Sequence, residues 1–195
     1  ASDVYKRQIW NYTYEMDDPQ IDVCGNYILI YDVQGTQAAI LTNTGFKQTI
    51  KTAMPIVDAN IASQGTVAIL MQDGEAGYVQ VCNDAGKVLA SGELHMKNSG
   101  YPLAIALSST AQRLMVSQLD VKDGNVKTTI SFYDFSNKGK DEIDNIVATY
   151  SFSDQIIPQI AYVDGDKAIA FGDSEVIVFN NCLLYTSPSP RDSTS

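Results

Sequence analysis

Four short apolar runs follow one another in a fixed order, and that order recurs along the chain. The most regular copy consists of Val57–Ile61, Thr66–Met71, Gly77–Asn83 and Lys87–Leu94, separated by residues that favour turns. The next consists of Leu103–Leu107, Arg113–Ser117, Lys127–Asp134 and Ile146–Phe152. An earlier copy gives Ile21–Cys24, Tyr27–Tyr31, Ala38–Asn43 and Phe46–Lys51. A last, incomplete one gives Ile160–Val163, Lys167–Phe171 and Glu175–Asn180, and Trp10–Tyr14 reads as the outer strand of a unit before the first. Runs rich in Val, Ile, Tyr, Phe and Thr, bounded by Gly, Asn, Asp and Pro, are strands, and helical periodicity is nearly absent. The chain is all-β.

Repeat starts at Ile21, Val57, Ile105 and Ile160 lie about 36, 48 and 55 residues apart, bracketing the spacing of four-stranded propeller blades. The long spacings come from insertions at His95 to Pro102 and Ser136 to Asp144. In a propeller each blade is packed on both sides, so its middle strands read as continuous apolar runs, as in Val67–Met71 and Val176–Phe179. A β-sandwich, the rival all-β architecture, keeps one face of each strand polar and shows strict alternation. Asn43-Thr-Gly45 and Asn83-Asp-Ala-Gly86 join third and fourth runs at the same place in successive units, where positive φ is required. The expectation is a β-propeller fragment of about three full four-stranded blades plus partial ones.

The two ends read differently. Ala1–Gln8 can be encoded by GCG TCA GAT GTG TAT AAG AGA CAG, which resembles the end of a transposon-derived sequencing adapter. Cys182–Ser187 can be encoded by TGT CTC TTA TAC ACA TCT, the reverse complement of that string's core in a shifted frame, and Pro188–Asp192 fits what would follow. Residues 1–8 and 182–195 are therefore expected to be adapter-derived and not native, with 9–181 a piece of a longer propeller. A native disordered tail is the alternative reading of Ser187-Pro-Ser-Pro-Arg191.

The formal charge is −10. Setting aside the ends, which carry Asp3, Lys6, Arg7, Arg191 and Asp192, leaves −11 on the part between. Nucleic acid and anionic lipid are bound through clustered Lys and Arg, so neither is an expected partner. Cys24 and Cys82, the two cysteines outside the ends, have no CxxC spacing and no neighbouring His, and read as free buried thiols. No apolar run approaches the roughly 20 residues needed to span a bilayer.

The blocks Pro55-Ile-Val57 with Ala62-Ser-Gln-Gly65, Asn98-Ser-Gly-Tyr-Pro-Leu103 and Ala170-Phe-Gly-Asp173 resemble an uncharacterised bacterial family, domain-of-unknown-function family 5711, over most of Ile9 to Asn181. The resemblance implies a propeller similar to WD40 and quinoprotein-like ones, behind an N-terminal membrane anchor at the extracytoplasmic face of the cell membrane. It implies no activity.

Chemistry-bearing residues are sparse. His95 is the sole histidine and lies in a polar stretch, without a Ser or Cys nucleophile in a recognisable motif. Asp17-Asp18 and Asp141-Glu142 lack the spaced ligands of a calcium loop, and Asp164-Gly-Asp166 reads as a hairpin turn. Gly74-Glu-Ala-Gly77 is a strand connection with no helix behind it to bind phosphate. No catalytic, cofactor or metal residue is assigned. Tyr101 and Tyr133 read first as core or rim packing, and of the chemistry-bearing residues they are the better candidates for partner contact. Asp22 and Asp58 recur at one first-strand position, whereas the third copy is apolar there.

The function expected is a non-enzymatic scaffold or binding domain that takes a protein or another envelope component through loops on one disc face. The alternative is a quinoprotein-like or glycan-active enzyme whose channel site draws on further blades. An open arc of blades exposes apolar sheet faces at roughly 25 cal/mol per Å². The polypeptide as written is expected to aggregate or partly unfold on expression; a monodisperse monomer with a sharp melting transition would contradict this.

Overall fold

The computed structural model describes residues 8–136, 146–165 and 167–180, and the backbone of 183–185. It consists of four four-stranded antiparallel meanders. The first contains β1 (Pro19–Cys24), β2 (Tyr27–Asp32), β3 (Gln37–Thr42) and β4 (Gly45–Lys51). The second contains β5 (Ile56–Ile61), β6 (Val67–Asp73), β7 (Ala76–Cys82) and β8 (Val88–Leu94). A four-residue helix, α1 (Met96–Ser99), leads to β9 (Tyr101–Leu107), β10 (Arg113–Lys122), β11 (Asn125–Asp134) and β12 (Ile146–Ser153). The fourth sheet contains β13 (Gln159–Asp164), β14 (Lys167–Phe171), β15 (Val176–Asn180) and β16 (Leu183–Tyr185). Each sheet is one blade of a four-bladed β-propeller.

Two expectations change in detail. Trp10–Tyr14 is not a strand; Trp10 and Tyr12, with Met16, lie over Ile30, Ala39 and Leu41 on the outward face of the first blade. The segment is held by the Trp10 indole, which donates to the Asn43 carbonyl at 2.9 Å, and by a stack of Tyr12 on Phe46. Aromatic rings on an apolar sheet face provide the packing that a ladder would otherwise provide. The fourth strand of the last blade is made by Leu183–Tyr185, within the stretch read as adapter.

Burial follows the blade interfaces. The first lies between Leu29, Tyr31, Ala38 and Ile40 of one blade and Ile56, Ile61, Ile69 and Met71 of the next, with Cys82 buried and Cys24 half-buried beside them as free thiols. The second packs Ala68, Leu70, Val79 and Val81 against Ile105, Leu107, Leu114 and Val116. The third packs Met115, Ile130 and Phe132 against Ile157, Ala170, Ile177 and Phe179. Phe132 meets Phe179 edge-on with ring centroids 5.0 Å apart. Because β6 is buried from Val67 to Met71, its run has no polar alternation. The opposite face of the last blade is bare: Phe171 and Val176 pair across β14 and β15, and Val178 lies beside them, all three exposed. Apolar exposure of this kind is the seat of the expected self-association.

In a meander, successive connections alternate between the two ends of the strands. The β2–β3, β6–β7, β10–β11 and β14–β15 turns therefore share one disc face with the crossings between blades. The inward strands β1, β5, β9 and β13 lie side by side around the axis.

Phe132→Ala removes a fully buried ring from the third interface and is expected to cost about 3 to 5 kcal/mol in denaturant unfolding. Phe171→Ala, on the bare face, is expected to cost less than about 1 kcal/mol. Equal losses would contradict this assignment of interfaces.

Candidate functional site

Two cavities open on the face that carries the blade crossings. The larger, about 530 Å³, is the mouth of the central channel, bordered by Asp22, Tyr31, Asp58, Asn60, Ile105 and Phe171 among others. It thus draws on all four blades. The carboxylates there are engaged in joining one blade to the next. Asp22 Oδ2 accepts from the Ile61 N–H at 2.7 Å and from Asn60 Nδ2 at 2.8 Å. Asp58 Oδ2 accepts from the Ile105 N–H at 2.9 Å, while its Oδ1 accepts from the Tyr31 hydroxyl at 2.8 Å and from the Ala59 N–H at 2.9 Å. Asn60 Oδ1 accepts from the Leu107 N–H at 2.9 Å. An inward strand is an edge strand whose free N–H groups need acceptors, and a short polar side chain one blade back supplies them.

At the third interface, where β9 is apolar, hydroxyls on β10 and β11 link the blades instead, as donors to carbonyls ahead of β13. The Ser117 hydroxyl donates to the Ile157 carbonyl at 2.8 Å, and that of Thr128 donates to the Gln155 carbonyl at 2.7 Å. A separate link ties the first two blades on the opposite face. The Tyr27 hydroxyl donates to Asp84, which is also paired with Lys47.

Burial pushes the Asp22 and Asp58 carboxyls above the ordinary 3.8, against the pull of the Ile61 and Ile105 N–H groups respectively. Burial, then the adjacent Asp58, pushes the Tyr31 hydroxyl far above its usual range. Between 3.8 and the raised native values, the folded chain holds protons that the unfolded chain has released. Stability therefore falls as pH rises through the native pKa of each group. Asp84 and Asp134 are held below 3.8, by hydrogen bonds from Lys47 and Ser136 respectively. Their contribution has the opposite sign and disappears only as pH falls through their own lower values.

The smaller cavity, about 340 Å³, is a groove at the rim, between the second and third blades. Its lining is Glu75, Met96, Lys97, Gly100, Tyr101, Asp120 and Val121. Glu75 follows Gly74 in the β6–β7 turn, and the pair forms a two-residue connection between Asp73 and Ala76. Met96 opens α1, and its sulfur lies so close to β7 that a Cβ on Gly77 would meet it at 3.1 Å. Gly100 has φ +85 and sits on the Leu119 backbone, where a Cβ would come within 2.1 Å of the Leu119 carbonyl oxygen. Its carbonyl accepts from buried Gln118 Nε2 at 3.0 Å, and its N–H donates to the Met96 carbonyl at 2.8 Å. The turn is thereby pinned, and Tyr101, 50% exposed, is held at the start of β9.

Tyr101 and Tyr133 part company here. Tyr133 is a buried member of the second interface, because its position in β11 faces Leu114 across the ladder. The packing reading therefore holds for Tyr133, and its candidacy for partner contact is withdrawn. Asp120 and Val121, which is 62% exposed, were missed by reading the third-blade hairpin too short. The available signal was Asp123-Gly124, both at positive φ, the two-residue turn that lets β10 and β11 pair as far as Lys122 and Asn125.

The remaining candidates lie apart. His95 is exposed ahead of α1 and makes no capping bond. Asp17 and Asp18 are exposed, and their N–H groups donate to Asp32 Oδ1 at 3.1 and 2.8 Å. Asp164 and Gly165 are in the β13–β14 turn. Asp141, Glu142 and Asp166 are outside the described residues. Among the described residues, no group of three or more His, Cys, Asp or Glu side chains is placed to hold a metal.

Asp22→Asn keeps an acceptor for Ile61 and Asn60 while removing one titration. Its urea midpoint is expected to fall less than that of the unaltered chain as pH rises from 3.8 through the raised native pKa of the Asp22 carboxyl. A midpoint that rose over this range in the unaltered chain would contradict the buried-carboxyl assignment.

Among curated proteins, none matches the chain. Solved structures share the fold at low identity. Hydrazine synthase from Kuenenia stuttgartiensis is 12% identical with a TM-score of 0.61, over 83% of this chain and 51% of that one. A chain of the nidogen/laminin complex is 12% identical with a TM-score of 0.57, over 85% of this chain and 60% of that one. The uncharacterized protein lmo1340 from Listeria monocytogenes EGD-e is 12% identical with a TM-score of 0.53, over 89% of this chain and 54% of that one. The chain thus spans between half and three-fifths of the length of these solved chains. The profile of one protein family matches residues 2–183, and the chain belongs to that family of unknown function, DUF5711.

Proposed function

We propose that this chain is a non-enzymatic binding propeller whose rim groove takes a protein partner. The observation that carries the reading is the groove itself. It is preformed by Gly100 and Gln118, and it exposes Tyr101 and Val121 beside ionisable side chains. An amphipathic aromatic in a concave site, ringed by polar groups, is the composition of an interface centre. The channel supports a structural role instead, since Asp22 and Asp58 there are acceptors for neighbouring backbone N–H groups. Among similar solved structures, one is itself a protein complex, that of nidogen and laminin.

The partner is a protein or another envelope component, and the site of action is the extracytoplasmic face of a bacterial membrane. The anchored arrangement implied by the family resemblance supports this placement. No helix among the described residues is long and apolar enough to cross a membrane, so an anchor would lie outside them.

The immobilised chain is expected to capture a partner from bacterial envelope extract. The double variant Tyr101→Ala/Val121→Ser is expected to reduce capture about tenfold or more without changing the melting transition. Undiminished capture by the variant, or no capture by either protein, would overturn the reading.

A further inference from the structure

We infer that the rim groove recognises an arginine side chain of its partner, an assignment that rests on the binding reading above. Three kinds of surface meet there. Tyr101 is half exposed and contributes an aromatic ring to the lining. Glu75, on the β6–β7 turn, and Asp120, on β10, contribute carboxylates from two different blades. Met96, seated over Gly77, and exposed Val121 provide apolar wall.

An arginine uses all three at once. Its planar guanidinium stacks on an aromatic ring and directs a fork of N–H donors to carboxylates. Its methylene stem covers apolar surface while the charged head stays among polar groups. A lysine ammonium is compact and strongly hydrated, and satisfies the charge without the stacking or the fork. An acidic or phosphorylated segment would meet two carboxylates on a chain of formal charge −10. Lys97 is the basic residue in the lining, beside Glu75 and Asp120. Lys127 stands 3.9 Å from Asp120 as a half-buried, long-range pair that an incoming guanidinium must displace or share.

The size and rigidity agree with this occupant. A cavity of about 340 Å³ is at the small end of the range for specific sites, suited to one long side chain and not to a helix or a strand. The Gln118 and Met96 bonds to Gly100 fix the turn before any partner arrives, which lowers the entropic cost of binding.

The test uses N-acetyl-arginine methylamide, with its lysine and citrulline counterparts, titrated into the ¹⁵N-labelled chain. The arginine probe is expected to shift the amides of Glu75, Lys97, Tyr101 and Val121. The lysine probe and the uncharged citrulline probe are expected to bind at least about tenfold more weakly. Tyr101→Ala and Glu75→Gln, both at exposed positions, are each expected to weaken the arginine response severalfold while leaving the rest of the spectrum in place. Equal responses to the three probes, or arginine shifts that fall elsewhere, would overturn the assignment. If the Tyr101→Ala/Val121→Ser variant loses envelope capture yet the unaltered chain ignores the arginine probe, the arginine assignment alone fails. If capture survives in that variant, the binding reading fails with it.

Discussion

The architecture depends on one constraint: an inward strand in each blade is the edge of its sheet and must find acceptors for its free N–H groups outside that sheet. Asp22, Asp58 and Asn60 supply those acceptors from one blade back, at 2.7 to 2.9 Å. The apolar faces stacked behind them provide most of the stabilisation. They lack direction, however, and two sheets can slide on such a surface by a residue with little loss of buried area. A carboxylate oxygen aimed at a particular N–H fixes that slide. The cost is a buried carboxyl whose proton affinity is raised, and the Tyr31 hydroxyl and the N–H donors offset part of it.

Blade registration in turn builds the rim groove. Its lining comes from β6–β7 and α1 at the edge of the second blade and from β9 and β10 of the third. The two blades must be held at one spacing and one height for Glu75 and Asp120 to border the same cavity. Asp58 to Ile105 and Asn60 to Leu107 are the links of that interface to the inward strand that begins at Tyr101, and Ser63 and Gln64 bond the Ser109 and Thr110 carbonyls at the other end. The structural carboxylates of the channel and the exposed aromatic of the rim thus belong to one arrangement, although neither touches the other.

Much of this was legible in the sequence. The four-run repeat gives the strands and their order, and the unbroken apolar stretch Val67–Met71 points to a strand covered on both faces. The insertion at His95 to Pro102 and the exposure of Tyr101 were also readable, because polar insertions with a lone aromatic stand out from a strand repeat. The place of Tyr133 was not, since the alternation that turns it toward Leu114 depends on a register set by the long β10–β11 hairpin. Asp120 and Val121 were lost to the same error. Asp22 and Asp58 recur visibly, but their partners are backbone N–H groups 39 and 47 residues away, and no side-chain motif records a backbone donor. The third interface shows the limit most plainly, because the blades are linked there by Ser117 and Thr128 hydroxyls that donate to carbonyls ahead of β13, from different strands and with the opposite polarity.

Native-state hydrogen exchange of three amides tests the docking of these blades most directly. Ile61, Ile105 and Leu107 donate to side chains of the preceding blade or of its inward strand, not to a ladder partner. The account predicts that they exchange as slowly as central-strand amides such as those of Ile69 and Val116, opening only with the whole unit. Exchange at the rate of a free sheet edge, with the central strands still protected, would show blades that are folded but not latched, and the groove between the second and third would then have no fixed form.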